Sequence, residues 1–427
     1  MDKNKKNFQG SSLTLKIVLA LFAGLASGLF LKAIPSNILV EQYLLDGLFL
    51  IIGKMFVASL KMLVVPLVFV SLVCGVCGLD DVKKLGKLGG KTLALYLMTT
   101  SLAISLALML AFFIGPGDGF NLPLDLKFTP QNAPEISEII INLVPANPIK
   151  SAADGKMLQI IVFAILIGVG ISSLGKEGKR MADFFSDANK VLMQLVNLLM
   201  MFAPFGVYAL ITRVFAKQGL AAILPLSSYF FTVLGALLLH VLLSYSVMLS
   251  IFARVNPISI FKKMRPTMLF AFSTASSNAS IPITMKTVCE KLGVPRSIAS
   301  FTVPLGATIN MDGTAIMQGV ATVFIAGAYG IEIGISEFLM VIFTATLASI
   351  GTAGVPGVGL ITLAMVLKQA GLPVEGIGLI MGVDRLLDMA RTAVNVFGDA
   401  AVSCVVAKSE DRLDYRVIAN EAHSSSV

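Results

Sequence analysis

The sequence predicts an all-α integral membrane protein of about eight transmembrane helices plus two re-entrant helical hairpins. Three observations carry that prediction. The 427 residues are 56 % hydrophobic and only 14 % charged, whereas soluble proteins carry about 25 % charged residues. Apolar runs long enough to span recur along the chain, at 13–31, 93–114, 158–171, 191–211 and 229–252, each read against the length a bilayer requires. In the second half the apolar stretches are interrupted, at matching places, by small and polar residues.

The elements follow in order. The N-terminal run is followed by more spans and has no convincing cleavage site, so it reads as a first span rather than a removed leader. Up to about residue 255 the chain reads as about six long helices, several long enough to require tilt. Gly24 and Gly28 make a GxxxG pair suited to close helix packing. Lys54 and Lys61 lie inside the second apolar segment and read as snorkelling or protein-facing. The CGVC of Cys74 and Cys77 lacks companion ligands and reads as small-residue packing; Cys289 and Cys404 stand alone, so no disulfide framework is expected. The Pro/Asn-rich stretch 121–155 is expected outside the membrane, returning through short or broken helices. His240, in LGALLLHVLLSY, reads as a packed, satisfied histidine ahead of a proton relay.

A net charge of +8 does not point to nucleic acid, because the basic residues cluster in alternate short loops. Lys83, Lys84, Lys87 and Lys91 form one such cluster and Arg254, Lys262, Lys263 and Arg265 another, while 115–156 carries Asp118, Asp125, Glu135, Glu138 and Asp154. That alternation predicts both termini on the cytoplasmic side.

The interrupted stretches are FSTASSNASIP at 272–282 and SIGTAGVPGVG at 349–359. Each lies between flanks too short to span alone and has a proline after its tip, Pro282 and Pro356. Irregular backbone at membrane depth is tolerated only when buried in protein or lining a cavity. Two hairpins entering from opposite sides, with tips near the midplane, satisfy this, and such inverted repeats with broken helices are a layout of secondary transporters. Between them, ATINMDGTAIMQG (307–319) places Asn310, Asp312 and Thr314 in an apolar span, with Gly313 expected to loosen the helix and free carbonyls. Oxygen donors of this kind suit a hard cation; Met311 is not expected to be a principal ligand. A lone Asp there could be a proton site, but Asp312 and Asp399 with flanking Asn310 and Asn395 favour metal cations. Finally, DRLLDMARTAVNVFGD (384–399) places Asp384, Asp388, Arg391, Thr392, Asn395 and Asp399 on one helical stripe about 100° wide. Charges in a span mark a cavity or ion path more often than a lock.

The serine-rich hairpin, NMDGT, GTAGVPG and DMARTAVNVFGD together closely resemble the dicarboxylate/amino acid:cation symporter family, in particular its prokaryotic sodium-coupled glutamate/aspartate branch. The resemblance covers essentially the whole chain. It implies a single integral membrane transporter, not an enzyme, working as a homotrimer in lipid by an elevator mechanism in the plasma membrane of a prokaryote. A scaffold part would comprise about 12–78 and 118–220, a transport part about 85–116 and 222–408, and a cytoplasmic tail 409–427. No cofactor is implied; sodium is co-transported. The resemblance further implies that the substrate side-chain carboxylate meets Arg391 and Thr314, its amino group Asp388 with Thr392 nearby, and its α-carboxylate Ser277 and Asn395. The backbone near Val355 and Gly359, in a glycine-rich hairpin, would close over it. One sodium would use Gly306, Asn310, Asn395 and Asp399. A second would use Thr308, Ser349, Ile350 and Thr352. A third would use Tyr96, Thr99, Thr100, Asn310 and Asp312, with Ser101 the neighbouring candidate if the register slips by one. Many relatives carry an extra arginine at positions that correspond here to Ala275 or Met389; Arg385 lies one turn before Met389. The alternative is a proton-coupled C4-dicarboxylate/glutamate symporter, against which Asp399 argues, because such relatives typically carry Asn there. An intramembrane aspartyl protease would also pair aspartates within helices, but catalysis would not explain Arg391.

Overall fold

The computed structural model describes residues 3–34, 38–77, 82–120, 144–349 and 357–419. The regular structure of those residues is helical, with no strand among them. The order is α1 (Lys3–Ala33), a wider π-helical stretch (Leu39–Phe49) continuing into α2 (Leu50–Cys77), α3 (Val82–Ile114), α4 (Pro148–Asp154), α5 (Met157–Ser173), α6 (Lys179–Met200) and α7 (Ala203–Gln218). Then come α8 (Ile223–Leu239), which runs on through π-helical turns at His240–Tyr245 and Leu249–Ala253, α9 (Pro257–Thr274), α10 (Ser277–Glu290), α11 (Arg296–Ile309) and α12 (Asp312–Tyr329). The chain continues through α13 (Ile335–Ser349), α14 (Val358–Gln369), α15 (Ile377–Ser409) and α16 (Tyr415–Ala419).

Among the described residues six helical stretches are long and apolar enough to cross a membrane, or up to seven if a bent pair counts as one span. The bent pair corrects one expectation. The run 191–211 is not one straight helix: α6 and α7 meet at 48°. Pro204, in the first turn of α7, explains the break, since a proline disfavours helical backbone in the residue before it and lacks the N–H a continuous helix needs.

The helices pack as two groups. In the first, α1 lies against α7, and α2 against α5, α6 and α7. The expected close approach at Gly24 and Gly28 is present: a Cβ at Gly24 would lie 3.0 Å from the Tyr208 carbonyl and one at Gly28 2.6 Å from the Thr212 carbonyl. In the second group, α15 is surrounded by α8, α9, α11 and α12, and α12 lies against α3.

Two helix–turn–helix units belong to this second group. In the first, α9 and α10 are joined by Ala275, in the left-handed region at φ 48°, and by Ser276, whose side chain accepts from the Ala279 N–H. In the second, α13 packs on α14; the residues between them, 350–356, lie outside the described residues. The span Arg296–Tyr329 is broken, but not at Gly313. Asn310 and Met311 leave the helix and α12 restarts at Asp312. Gly313 serves close approach instead: a Cβ there would lie 2.8 Å from the Arg391 Cα. A short strap closes the second group. The Asp414 N–H donates to the Gly293 carbonyl, and Lys263 Nζ donates to the Val417 and Ile418 carbonyls at 2.9 and 2.8 Å.

Candidate functional site

The expected polar stripe of α15 is real and wholly interior. Asp384, Arg385, Asp388, Arg391, Thr392, Asn395 and Asp399 are all buried, and Arg391 is 0 % exposed. They form two layers along the helix.

In the first layer Arg391 Nη2 donates to Asp388 Oδ1 at 2.9 Å and lies 3.0 Å from Asp384 Oδ1. Its Nε and Nη1 are buried without a partner among the described residues. That open edge faces α14 and α12: a methyl at Gly359 would lie 3.4 Å from Arg391 Nη1 and 3.3 Å from Thr314 Cγ2. The structure therefore gathers Arg391, Thr314 and Gly359 around one small volume. Asp388 Oδ2 accepts from the Gly357 N–H at 3.3 Å and from Arg385 Nη1 at 3.4 Å. Arg385, one turn before Met389, thus reaches the same carboxylate as Arg391. Thr392 sits beside them, its hydroxyl donating to the Asp388 carbonyl at 2.7 Å, so its oxygen remains an acceptor. Ser277 is buried at the start of α10 but no hydrogen bond joins it to these residues among those described. Val355 lies outside the described residues.

The second layer sits at the break between α11 and α12. Asn310 Nδ2 donates to Asp399 Oδ1 at 2.8 Å and to the Asn395 carbonyl at 3.0 Å, leaving Asn310 Oδ1 buried and without a partner among the described residues. Gly306 belongs here because a Cβ on it would lie 2.3 Å from Asp399 Oδ1 and 2.5 Å from the Tyr96 hydroxyl. Asn395 Oδ1 accepts from the Gly313 N–H at 2.7 Å, and Asn395 Nδ2 approaches the Met311 sulfur at 3.6 Å. The expected set Gly306, Asn310, Asn395 and Asp399 is thus brought together.

Asp312 anchors a third cluster. Its Oδ1 accepts from Thr100 Oγ1 at 2.6 Å, and its Oδ2 accepts from the Tyr245 hydroxyl at 2.7 Å and faces His240 Nε2 at 3.0 Å. Thr100, not Ser101, is therefore the third-helix residue on Asp312; Ser101 lies 3.2 Å from Thr346 Oγ1 instead. The Tyr96 hydroxyl donates to the Thr302 carbonyl, and Thr99 donates to the Tyr96 carbonyl. His240 and Tyr245 were not among the expected site residues. The histidine is packed, as expected, but its packing partner is the site carboxylate.

The remaining expected set, Thr308, Ser349, Ile350 and Thr352, is not assembled among the described residues. Thr308 and Ser349 donate to carbonyls of their own helices, Leu305 and Thr346, at 2.8 and 2.7 Å. Ile350 and Thr352 lie outside the described residues.

Apolar spans wrapped around a buried, charge-lined centre define a multi-pass membrane protein of the transporter class. The chain belongs to the sodium:dicarboxylate symporter family, whose model matches residues 13–409. It is 37 % identical over 400 residues to the proton/sodium-glutamate symport protein of Bacillus caldotenax, covering 91 % of this chain and 93 % of that protein. It is 35 % identical over 418 residues to the proton/glutamate-aspartate symporter of Escherichia coli K12, covering 94 % of each. It is 31 % identical over 425 residues to the C4-dicarboxylate transport protein of Laribacter hongkongensis, covering 97 % of this chain and 93 % of that one.

Proposed function

We propose that this protein is a secondary active symporter that couples inward sodium flux to uptake of an acidic amino acid, aspartate or glutamate. The observation that carries the reading is the buried Arg391, held by Asp388 and Asp384 on one nitrogen while Nε and Nη1 have no partner among the described residues. A buried donor without a partner costs about 1–3 kcal/mol, more when charged. A substrate carboxylate over Gly359 and Thr314 removes that cost by engaging the fork bidentately. Asp388 then serves the substrate amino group, with Thr392, Ser277 and Asn395 completing the polar lining.

Charge balance supports cation coupling. Among the described residues, Asp312, Asp384, Asp388 and Asp399 are buried together with two guanidiniums, Arg385 and Arg391. An acidic substrate deepens the deficit. Sodium ions at the Asp399–Asn310 and Asp312–Thr100 clusters offset it, with the unpartnered Asn310 Oδ1 as a ready ligand. The second helix group would be the moving part, the α1, α2 and α5–α7 group the scaffold of a homotrimer, and α9–α10 and α13–α14 the re-entrant hairpins of an elevator in a prokaryotic plasma membrane.

The rival reading is proton coupling, which the word "proton" in two relatives' names keeps in view; Asp399 argues for metal cations. Uptake into proteoliposomes, with sodium and proton gradients imposed separately, tests it. The expected result is aspartate accumulation only with inward sodium, and with net positive charge entering. Equal accumulation in sodium-free vesicles under a proton gradient would replace this reading with the rival.

A further inference from the structure

A cavity of about 420 Å³ opens between α2, α7 and the ends of α12 and α15, and shares no lining residue with the charged centre. Three cationic side chains line it: Lys54, Arg213 and Lys217. Glu375 is the carboxylate among the lining residues. Arg213 and Lys217 converge on a single oxygen, Asp46 Oδ1, at 2.9 and 2.8 Å, so one acid serves two bases. Lys54 makes no ion pair among the described residues, although it sits in the middle of the apolar stretch Leu39–Cys74. A lysine at that position is costly unless something anionic meets it.

The rest of the cavity is apolar. Leu50, Val57, Leu210 and Leu379 form its wall, and beside Lys54 the same helix exposes Ile51 and Met55. A cationic mouth beside an apolar wall on a membrane-spanning face matches an amphiphile with a negative head. The volume suits a small-molecule site, which spans roughly 300–1,000 Å³.

We infer that this cavity is the seat of an anionic phospholipid, its phosphate held by Lys54, Arg213 and Lys217 and its acyl chains along the α2 face. A free phosphate would satisfy the cations but leave the apolar wall bare. The seat also joins the two helix groups, since α2 and α7 belong to one and α12 and α15 to the other. If those groups move as proposed above, the lipid slows that motion; the binding itself does not depend on that reading.

Native mass spectrometry of the full chain in neutral detergent tests it, with phosphatidylglycerol, phosphatidylcholine or inorganic phosphate added. The parent should retain phosphatidylglycerol well above phosphatidylcholine. Lys54→Gln and Arg213→Gln should each lower phosphatidylglycerol occupancy about fivefold, the effect of one cation near an anionic headgroup. Lys190→Gln, an exposed cation paired with Asp187 elsewhere, should leave it unchanged. Should Arg213→Gln aggregate on losing its Asp46 contact, Lys54→Gln decides alone, because Lys54 is exposed. Equal retention of the two lipids, or undiminished phosphatidylglycerol in Lys54→Gln, overturns the inference. Displacement of phosphatidylglycerol by millimolar inorganic phosphate would mark a soluble-anion site and overturn it equally.

Discussion

At the scale of single residues, the proposed function rests most on Arg391, two of whose nitrogens have no partner among the described residues. Removing one member of a buried charged set costs about 3–5 kcal/mol, on the order of a hundredfold or more in affinity. Arg391→Cys should therefore lose aspartate binding by at least that factor while keeping Asp388 for an amino group, so serine or cysteine becomes a substrate. Isothermal calorimetry with both amino acids checks this; an unchanged aspartate affinity would remove Arg391 from the binding site. Much of this chemistry is legible in the sequence, because a regular α-helix carries its periodicity openly: the positions 384–399 predict one buried stripe, and α15 presents one. The partners of Asp312 are not legible in that way. His240 and Tyr245 are five positions apart, which on an α-helix separates them by about 140°. The π-helical turn at His240–Tyr245 brings them to one side, with ring centroids 4.4 Å apart, both on the same carboxylate oxygen.

At the scale of elements, small residues set how closely helices approach. The GxxxG of α1 is a weak signal in sequence, yet α7 is seated directly against it. A side chain at Gly28 would meet the Thr212 carbonyl and the Phe215 Cβ at 2.6 and 2.7 Å, a backbone oxygen and a side-chain carbon fixed directly to the backbone, neither of which can turn aside. Gly28→Val should destabilise the protein by about 1–3 kcal/mol, the usual cost of overpacking. Gly90→Ala, where a Cβ meets nothing within 4 Å, should be neutral. Thermal unfolding in detergent, followed by tryptophan-independent light scattering, compares the two. The breaks were less legible than the contacts. Pro204 divides α6 from α7 inside what reads as one apolar run, because hydropathy counts length and not backbone donors. Gly313 draws attention as a flexible residue, but the break falls at Asn310–Met311, where the Asn310 side chain is turned to Asp399.

At the scale of the whole molecule, the proposed substrate and sodium seats share α15 and the α11–α12 break, which would link their occupancies. Sodium at Asp399 and an acidic ligand at Arg391 each offset charge the other leaves unbalanced, and coupling between such sites is typically about 1–3 kcal/mol in both directions. Aspartate with sodium should raise the unfolding midpoint by more than the two separate increments together, and saturating aspartate should tighten sodium binding by the same factor that sodium tightens aspartate. Simple addition of the shifts would show independent sites. The strap at Asp414–Ile418 has a consequence of a different kind, for biogenesis. Lys263, in α9, is fastened to carbonyls 154 and 155 positions later in the chain. During synthesis α9 and α10 leave the ribosome long before the segment that ties them down. A nascent chain arrested before residue 411 should therefore expose the Ala275 turn to added protease, and release of the complete chain should end that sensitivity; equal cleavage before and after release would mean the strap plays no part in maturation.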